Sequence, residues 1–226
     1  MNWWGRSSVR EHILDLSTAL VALLAVGLAG VFLWNQFGGR RAPLPIPMND
    51  RELVDWRPLT ASGHWMGSPE ADVVIIEFGD YECPFCRKAD RILLALRDSY
   101  PEEVAVVFRH FPHPGHPNAL GAARLSECAE EQDYFESVHH FLFTVITLED
   151  LDLEAFAEAA QIPDPSRFLR CMARTETPAQ IAEDLLAGER LGIKAVPTFI
   201  VNGTILARPP DSAGWFELVD NHVNRG

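Results

Sequence analysis

Short apolar runs and helically spaced apolar positions alternate along the middle of this chain of 226 residues. Residues 73–78 and 104–108 are almost uninterrupted apolar runs, which is typical of buried strands. Between them, apolar residues recur at helical spacing over 84–100, and a proline follows. Strand, helix and strand in this order predict a parallel crossover unit, the building block of an α/β fold.

The remainder of the domain is predicted to be helical and then to close with a hairpin. Residues 117–190 carry apolar residues at helical spacing, interrupted by prolines, so they predict several helices. Two short apolar runs then flank Asn202-Gly203, which is a strong hairpin signal. A last helix is predicted over 211–223.

The N-terminal part has a different pattern. Residues 16–34 contain no charge, and nineteen residues at about 1.5 Å each span roughly 28 Å, close to the thickness of a bilayer core. A cleaved signal peptide is the alternative, but its apolar core is usually only about 7–15 residues long. We therefore expect a single transmembrane anchor, with residues 1–15 as a short cytoplasmic N-terminus.

A stalk is predicted to separate this anchor from the domain. Alternating prolines follow the anchor and favour an extended spacer, so residues 35–66 are interpreted as a Pro-rich stalk and lead-in. The domain proper is placed at 67–226. The net charge of -13 would repel nucleic acid, and we expect no nucleic-acid partner.

The chemistry-bearing motif is Cys83-Pro84-Phe85-Cys86. Such a pair is half of a zinc site, a haem attachment site when histidine follows, or a redox pair. Arg87 follows, which excludes haem attachment. His110, His113 and His116 offer nitrogen ligands, but no second Cys-x-x-Cys exists, so no metal site is predicted.

The position of the motif favours redox chemistry. It lies between a buried strand and the start of a helix, where free N–H groups and the helix dipole favour a thiolate at Cys83. Cys86, one turn later, is expected to face inward as the resolving thiol. Glu77 lies on the buried strand, where it is either an edge-facing acid that reaches solvent or a partly buried carboxyl near the sulfurs. In the second case it could exchange protons with Cys86.

Several blocks of the sequence together resemble the thioredoxin-like DsbA-type disulfide oxidoreductases. They begin with residues 67–73 and 76–86. The later blocks are Phe111-Pro112, His116-Pro117, Ala122-Ala123, Glu127-Cys128-Ala129, Gln132, Phe135, His139, Leu142-Phe143, Cys171 and 196–203. The resemblance implies a thioredoxin-like α/β fold with a helical insertion at 117–190. It also implies that Cys83 is the nucleophile and that Cys86 resolves.

The resemblance assigns roles to further residues. Pro197 matches the family's cis-proline, and Val196 offers its backbone to an extended substrate peptide. Pro84 and Phe85 are assigned to substrate binding on the same ground. Cys128 and Cys171 are expected to form a structural disulfide, with two buried free thiols or a second redox pair as alternatives.

The resemblance also implies the setting and the partners. Members work outside the cytoplasmic membrane, so the catalytic domain of a single-pass membrane protein is expected on the extracytoplasmic side. The expected substrates are reduced secreted proteins or peptides, and a membrane redox partner is expected to recycle the protein. No cofactor is expected, and the chain is expected to be a monomer. Pro-Phe replaces the Pro-His of the strongly oxidising founding member, which suggests a weaker oxidant. Asp133 also follows Gln132 where relatives often have Gly.

The direction of the reaction is left open by the residues. The first hypothesis is an oxidase that introduces disulfides into secreted proteins. A reductase or isomerase would use the same side chains, because direction depends on the relative stability of the reduced form. A non-enzymatic copper-binding or tethered binding module is a further alternative.

Overall fold

The computed structural model describes residues 23, 26–29, 50–145 and 147–223. The chain divides into two compact units, Met1–Pro47 and Met48–Gly226. The described part of the second unit contains one sheet of six strands. These strands are β1 (Arg51–Glu52), β2 (His64–Met66), β3 (Val73–Gly79), β4 (Val104–His110), β5 (Thr198–Val201) and β6 (Thr204–Ile205).

Helices connect and cover these strands. A 3-10 helix at Arg57–Thr60 lies between β1 and β2. The α-helices are α1 (Pro84–Ser99), α2 (Ala119–Glu130), α3 (Phe135–Thr144), α4 (Leu153–Ala159), α5 (Pro165–Met172), α6 (Ala179–Leu191) and α7 (Ser212–Val223). The predicted helices at 84–100 and 211–223 are therefore confirmed within about a residue, as is the helical character of 117–190.

The strand order is β1-β6-β5-β3-β4-β2, so β3 lies inside the sheet. It pairs parallel with β4 and antiparallel with β5. The crossover from β3 through α1 to β4 confirms the predicted strand–helix–strand unit. Glu77 lies opposite Phe108 on one side and Phe199 on the other, so its position within the sheet is fixed from both neighbouring strands.

The two faces of β3 pack against different layers, because successive side chains of a strand point to opposite faces. Val73 and Ile75 belong to the larger core, which includes Cys86 of α1. Val74 and Ile76 belong to a smaller core that the 3-10 helix and the end of α6 help to close. Glu77 follows the alternation of Val73 and Ile75, so it is on the face that carries α1.

The hairpin of β5 and β6 turns at Asn202-Gly203, as the sequence predicts. Both residues have positive φ, 45° and 95°, which is the backbone that a two-residue hairpin turn requires. The Asn202 side chain also accepts a hydrogen bond from Val74 N and donates one to Asp72 O, both at 2.8 Å. The turn is thereby fixed to the start of β3.

The helical insertion is closed by a covalent bond. Cys128 of α2 and Cys171 of α5 form a disulfide with a Cα–Cα distance of 5.6 Å and a sequence separation of 43 residues. Both cysteines are buried. The bond therefore joins the first helix of the insertion to its fourth.

The predicted start of the domain at residue 67 is wrong, because the sheet already includes earlier residues. β1 pairs with β6, and β2 pairs with β4. His64 and Met66 are buried against the sheet. Strands of two and three residues are too short to give a recognisable alternation, which is why the sequence suggested a lead-in of modest order.

The predicted anchor lies almost entirely outside the described residues. Within 16–34 the structure describes residues 23 and 26–29, which are helical. The predicted cytoplasmic segment 1–15 and residues 35–49 of the stalk also lie outside the described part. Among the residues that are described, no helix is both long enough and apolar enough to cross a membrane.

Candidate functional site

Cys83 is the N-cap residue of α1, with an extended backbone (φ -74°, ψ 119°), and Pro84 occupies the first turn. The N–H of Cys83 donates a hydrogen bond to Asp80 O, and the carbonyl of Cys83 accepts one from Arg87 N, both at 3.1 Å. Proline suits this position because its φ matches the helix and it has no N–H to leave unpaired. Cys86 is one turn further on and is completely buried, whereas Cys83 keeps 4% exposure, and both cysteines are free thiols.

The two sulfur atoms differ sharply in acidity. A hydrogen bond from the Cys86 side chain, helped by the backbone N–H groups of Cys86 and Phe85, lowers the pKa of Cys83 to about 6 against the opposing effect of burial. Burial raises the pKa of Cys86 well above its usual range. At neutral pH the reduced site therefore holds a thiolate at Cys83 and a thiol at Cys86, which is the arrangement that thiol exchange requires.

The loop before β5 lies directly against this sulfur. The Val196-Pro197 peptide bond is cis, and the Cys83 sulfur lies 3.5 Å from Val196 O. Val196 and Pro197 are both partly exposed, and Phe85 is 69% exposed. The accessible surface around Cys83 thus includes the apolar side chains of Phe85, Val196 and Pro197.

Glu77 is 1% exposed, and its Oε1 has no hydrogen-bond partner among the described residues. Burial raises the pKa of Glu77 well above its usual range, and the charges of Asp90 and Cys83 raise it further. The charge of Glu77 in turn contributes to the raised pKa of Cys86. The carboxyl group is therefore close enough to influence both sulfur atoms.

We expect Glu77→Gln to raise the free energy of unfolding of the reduced protein at pH 7.5 by about 1–3 kcal/mol, because it replaces a buried ionisable group by a neutral one. The folded-state pKa of Glu77 is raised, so its proton stabilises the fold below the unfolded pKa of about 4.5, and this stabilisation is lost as pH rises. The gain should therefore shrink at pH 4. Urea unfolding at both pH values measures it.

The control for this substitution is Glu158→Gln, because Glu158 is exposed and should tolerate the same change without effect. An equal gain for Glu77→Gln at pH 4 and pH 7.5 would show that the pKa of Glu77 is the same in the folded and unfolded states, which would contradict a raised pKa in the folded protein.

Sequence reasoning missed the buried carboxylate of Asp80, which organises the loops around the dithiol. It accepts hydrogen bonds from the backbone of Glu82 and His113 at 2.8 Å and from His116 Nδ1 at 2.7 Å. The hydrogen bond with Asp80 raises the pKa of His116, and the Cys83 charge raises it further. His116, which lies outside the motif, is therefore electrostatically coupled to Cys83.

A second missed group lies beside Glu77. Asp90 accepts a hydrogen bond from His140 Nδ1 at 2.6 Å, and His139 Nε2 is 3.4 Å from the same oxygen. His139 Nδ1 in turn contacts the hydroxyl of buried Tyr81 at 3.0 Å. A narrow cavity is lined by Glu77, Asp90 and both histidines. The sequence signal that could have revealed this group is Asp90 itself, a carboxylate at a position on the buried, otherwise apolar face of α1.

The three histidines considered as metal ligands do not come together. His113 and His116 lie side by side in the loop after β4, with ring centroids 5.3 Å apart. His110 is buried at the end of β4, and its Nε2 lies 2.8 Å from Glu127 Oε1 instead. The structure therefore separates His110 from the other two.

Comparison with known proteins agrees with this geometry. A family model described as Thioredoxin matches residues 59–221. A Na(+)/H(+) antiporter NhaA 1 from Mycolicibacterium gilvum is 33% identical over 161 residues, which is 70% of this chain and 26% of the antiporter. The chain thus spans about a quarter of the length of the curated relatives it matches.

Solved structures resemble the domain as a whole. A thioredoxin-like oxidoreductase from Silicibacter pomeroyi has 27% identity and a TM-score of 0.63, covering 73% of this chain and 94% of that one. Oxidised BdbD from Bacillus subtilis has a TM-score of 0.62 over 72% of this chain and 94% of its own, and at 21% identity it supports the fold alone. The chain therefore belongs to the thioredoxin family, and its described domain is a DsbA-like thioredoxin fold with a helical insertion.

Proposed function

We propose that this chain is a thiol–disulfide oxidoreductase that transfers its Cys83–Cys86 disulfide to reduced proteins. One observation carries the proposal: an acidic Cys83 thiol at a helix N-terminus lies 3.5 Å from the Val196 carbonyl, with the buried Cys86 thiol behind it. A low pKa makes Cys83 a good leaving sulfur, and burial protects Cys86 from outside attack.

The proposed reaction proceeds in two exchanges. A substrate thiolate attacks Cys83 of the oxidised pair, forms a mixed disulfide and expels the Cys86 sulfur as a thiolate, which takes up a proton. A second substrate thiol, after losing its proton, attacks the substrate sulfur of the mixed disulfide and releases the Cys83 thiolate. The substrate dithiol is oxidised to a disulfide, and the protein pair is reduced.

Glu77 is proposed to supply and receive the proton of Cys86. Its raised pKa favours the protonated carboxyl, and the group is shielded from water by burial. The expelled Cys86 sulfur is strongly basic in its buried position, so proton transfer from Glu77 removes an unfavourable buried thiolate. The reverse transfer would serve reoxidation.

The substrate is proposed to be an extended polypeptide. Backbone groups at Val196, next to Pro197, offer strand-like hydrogen bonding to a peptide that carries the reacting cysteine. Phe85 and Pro84 are exposed beside Cys83 and would contact apolar side chains of that peptide. Backbone recognition of this kind suits many different substrates, because it does not depend on sequence.

The reduction potential of the Cys83–Cys86 pair tests the direction. A Cys83 pKa of about 6 lies between about 7 for thioredoxin and about 3.5 for DsbA. Interpolation between the two proteins gives an expected potential of about -230 mV, above thioredoxin at about -270 mV and below DsbA at about -120 mV, which makes the pair a weaker disulfide donor than DsbA. Equilibration with glutathione buffers, in a Cys128→Ala/Cys171→Ala background, isolates this pair.

A potential near about -270 mV would mark a reductant and overturn the proposed direction, while leaving thiol exchange intact. The absence of a redox transition in this window would overturn the assignment of the pair as an exchange site.

An extracytoplasmic location is part of the proposal. Disulfides such as Cys128–Cys171 persist in oxidising compartments, and the uncharged run at 16–34 has the length of a single membrane anchor. Secreted proteins would then be the substrates, and a membrane redox partner would restore the disulfide. After reduction of intact cells with a membrane-impermeant phosphine, labelling of Cys83 by a membrane-impermeant maleimide checks this placement, and protection of Cys83 under these conditions would contradict it.

A further inference from the structure

Three side chains away from the dithiol converge on one point. His64 Nε2 and His110 Nε2 lie 2.6 Å and 2.8 Å from the same oxygen, Glu127 Oε1. The potential metal-ligand atoms of the three side chains all lie within 4.8 Å of one another. His64 is 9% exposed and His110 is 1% exposed, so both imidazoles are shielded from bulk water where they contact this carboxylate.

Each of these residues is held by a rigid element. His64 begins β2 and His110 ends β4, so two strands that pair directly place the imidazoles. The ring of Phe135 stacks on His64 with centroids 3.7 Å apart. Glu127 is on α2 next to Cys128, whose disulfide fixes that helix. The arrangement is therefore set by the fold and not by mobile side chains.

We propose that His64, His110 and Glu127 bind a divalent cation of the zinc class. Two imidazole nitrogens and one carboxylate oxygen are the protein ligands of several zinc sites, with a fourth position for water. Tetrahedral coordination at about 2.0–2.2 Å places ligand atoms about 3.3 Å apart. The two N···O distances would have to open by about 0.6 Å, which small rotations of the side chains allow.

Access to the site comes from the outer side of the insertion. Glu127 also lines an open cavity of about 340 Å³, together with Glu130, Glu131 and Glu176. Arg124 and Arg174 line it too, so two positive charges face four carboxylates there. The excess of negative charge favours the approach of a cation, and the open side of the cavity can supply the water ligand.

The consequence of binding would be a second link between the sheet and the helical insertion. The cation would join β2 and β4 to α2 at the point where His64 and His110 each lie within hydrogen-bond distance of Glu127. A ligand that binds only the folded state raises its stability. This role does not rest on the proposed exchange reaction, because none of the three ligands belongs to the dithiol site.

Zinc titration of the full chain in its oxidised form tests the proposal. Oxidation to the Cys83–Cys86 disulfide removes both free cysteine sulfurs, which would otherwise compete for the metal. After removal of metal with a chelator, we expect one zinc ion per chain and a rise in Tm of about 5 °C or more at zinc about 100-fold above Kd. Cobalt should give a tetrahedral visible spectrum without the charge-transfer bands of thiolate ligands.

Matched variants separate this site from others. Glu127→Gln and His64→Asn should each weaken zinc binding at least about tenfold, and His222→Asn, on the exposed last helix, should leave it unchanged. Circular dichroism checks that the variants fold. Failure of the oxidised wild-type chain to bind zinc overturns the proposal, and so does binding that both ligand variants retain. Either result leaves the exchange function untouched.

Discussion

Cys86→Ala is expected to convert the protein into a trap for its substrates. In this variant Cys83 still attacks a peptide that carries a mixed disulfide with glutathione, releasing glutathione and joining the peptide to Cys83. The resolving thiol is missing, so the Cys83–peptide disulfide persists, whereas the wild-type chain resolves it at once. Mass spectrometry of the non-reduced protein should show one covalently bound peptide per chain.

The matched variant Cys83→Ala should show no covalent complex and a rate of exchange equal to that of buffer alone. Cys86 remains in that variant, but it is fully buried and burial raises its pKa, so it is neither accessible nor ionised. Full exchange activity in Cys83→Ala, or a persistent complex through another cysteine, would refute the roles assigned to the pair.

Loss of the Cys128–Cys171 disulfide is expected to cost the protein much of its stability. The bond closes a loop of 43 residues, for which the chain-entropy argument gives about 4 kcal/mol, and measured losses for native disulfides are about 2–5 kcal/mol. That range is a large share of the typical total stability of a domain. Urea unfolding of Cys128→Ala/Cys171→Ala against wild type, both with the active-site pair oxidised, measures the loss.

The double substitution is preferred because a single one leaves a free thiol that can exchange with the active site. The variant should retain exchange at Cys83, since the disulfide joins α2 to α5 and contacts neither Cys83 nor Val196 in the described hydrogen-bond network. An unchanged free energy of unfolding would mean that packing within the insertion, and not the covalent link, holds these helices together.

The core of the fold was predictable because its signals are local. The apolar runs of β3 and β4, the proline-bounded α1 between them and the Asn202-Gly203 turn each depend on a few adjacent residues. The placement of Cys83 at the helix start follows from the same local pattern. Periodicity and turn chemistry determine such features directly.

Other parts of the site depend on contacts between distant segments, which one sequence does not display. Asp80 meets His116 36 residues later, and Asp90 meets His140 50 residues later. Each of these side chains is unremarkable in its own segment, and only the fold brings the pairs together. The short strand β2 was missed for a related reason, since its pairing with β4 and not its own three residues makes it a strand.

Both edge strands of the described sheet are short, with two residues in β1 and three in β2. The unpaired N–H and C=O groups of an edge strand are a template on which another extended chain can add a strand, and this is a common route to aggregation. A protein proposed to handle unfolded polypeptides meets such chains continually. Short edge strands offer few unpaired N–H and C=O groups to another chain. An extended substrate is therefore more readily bound at the backbone beside Cys83 than by strand pairing at an edge of the sheet.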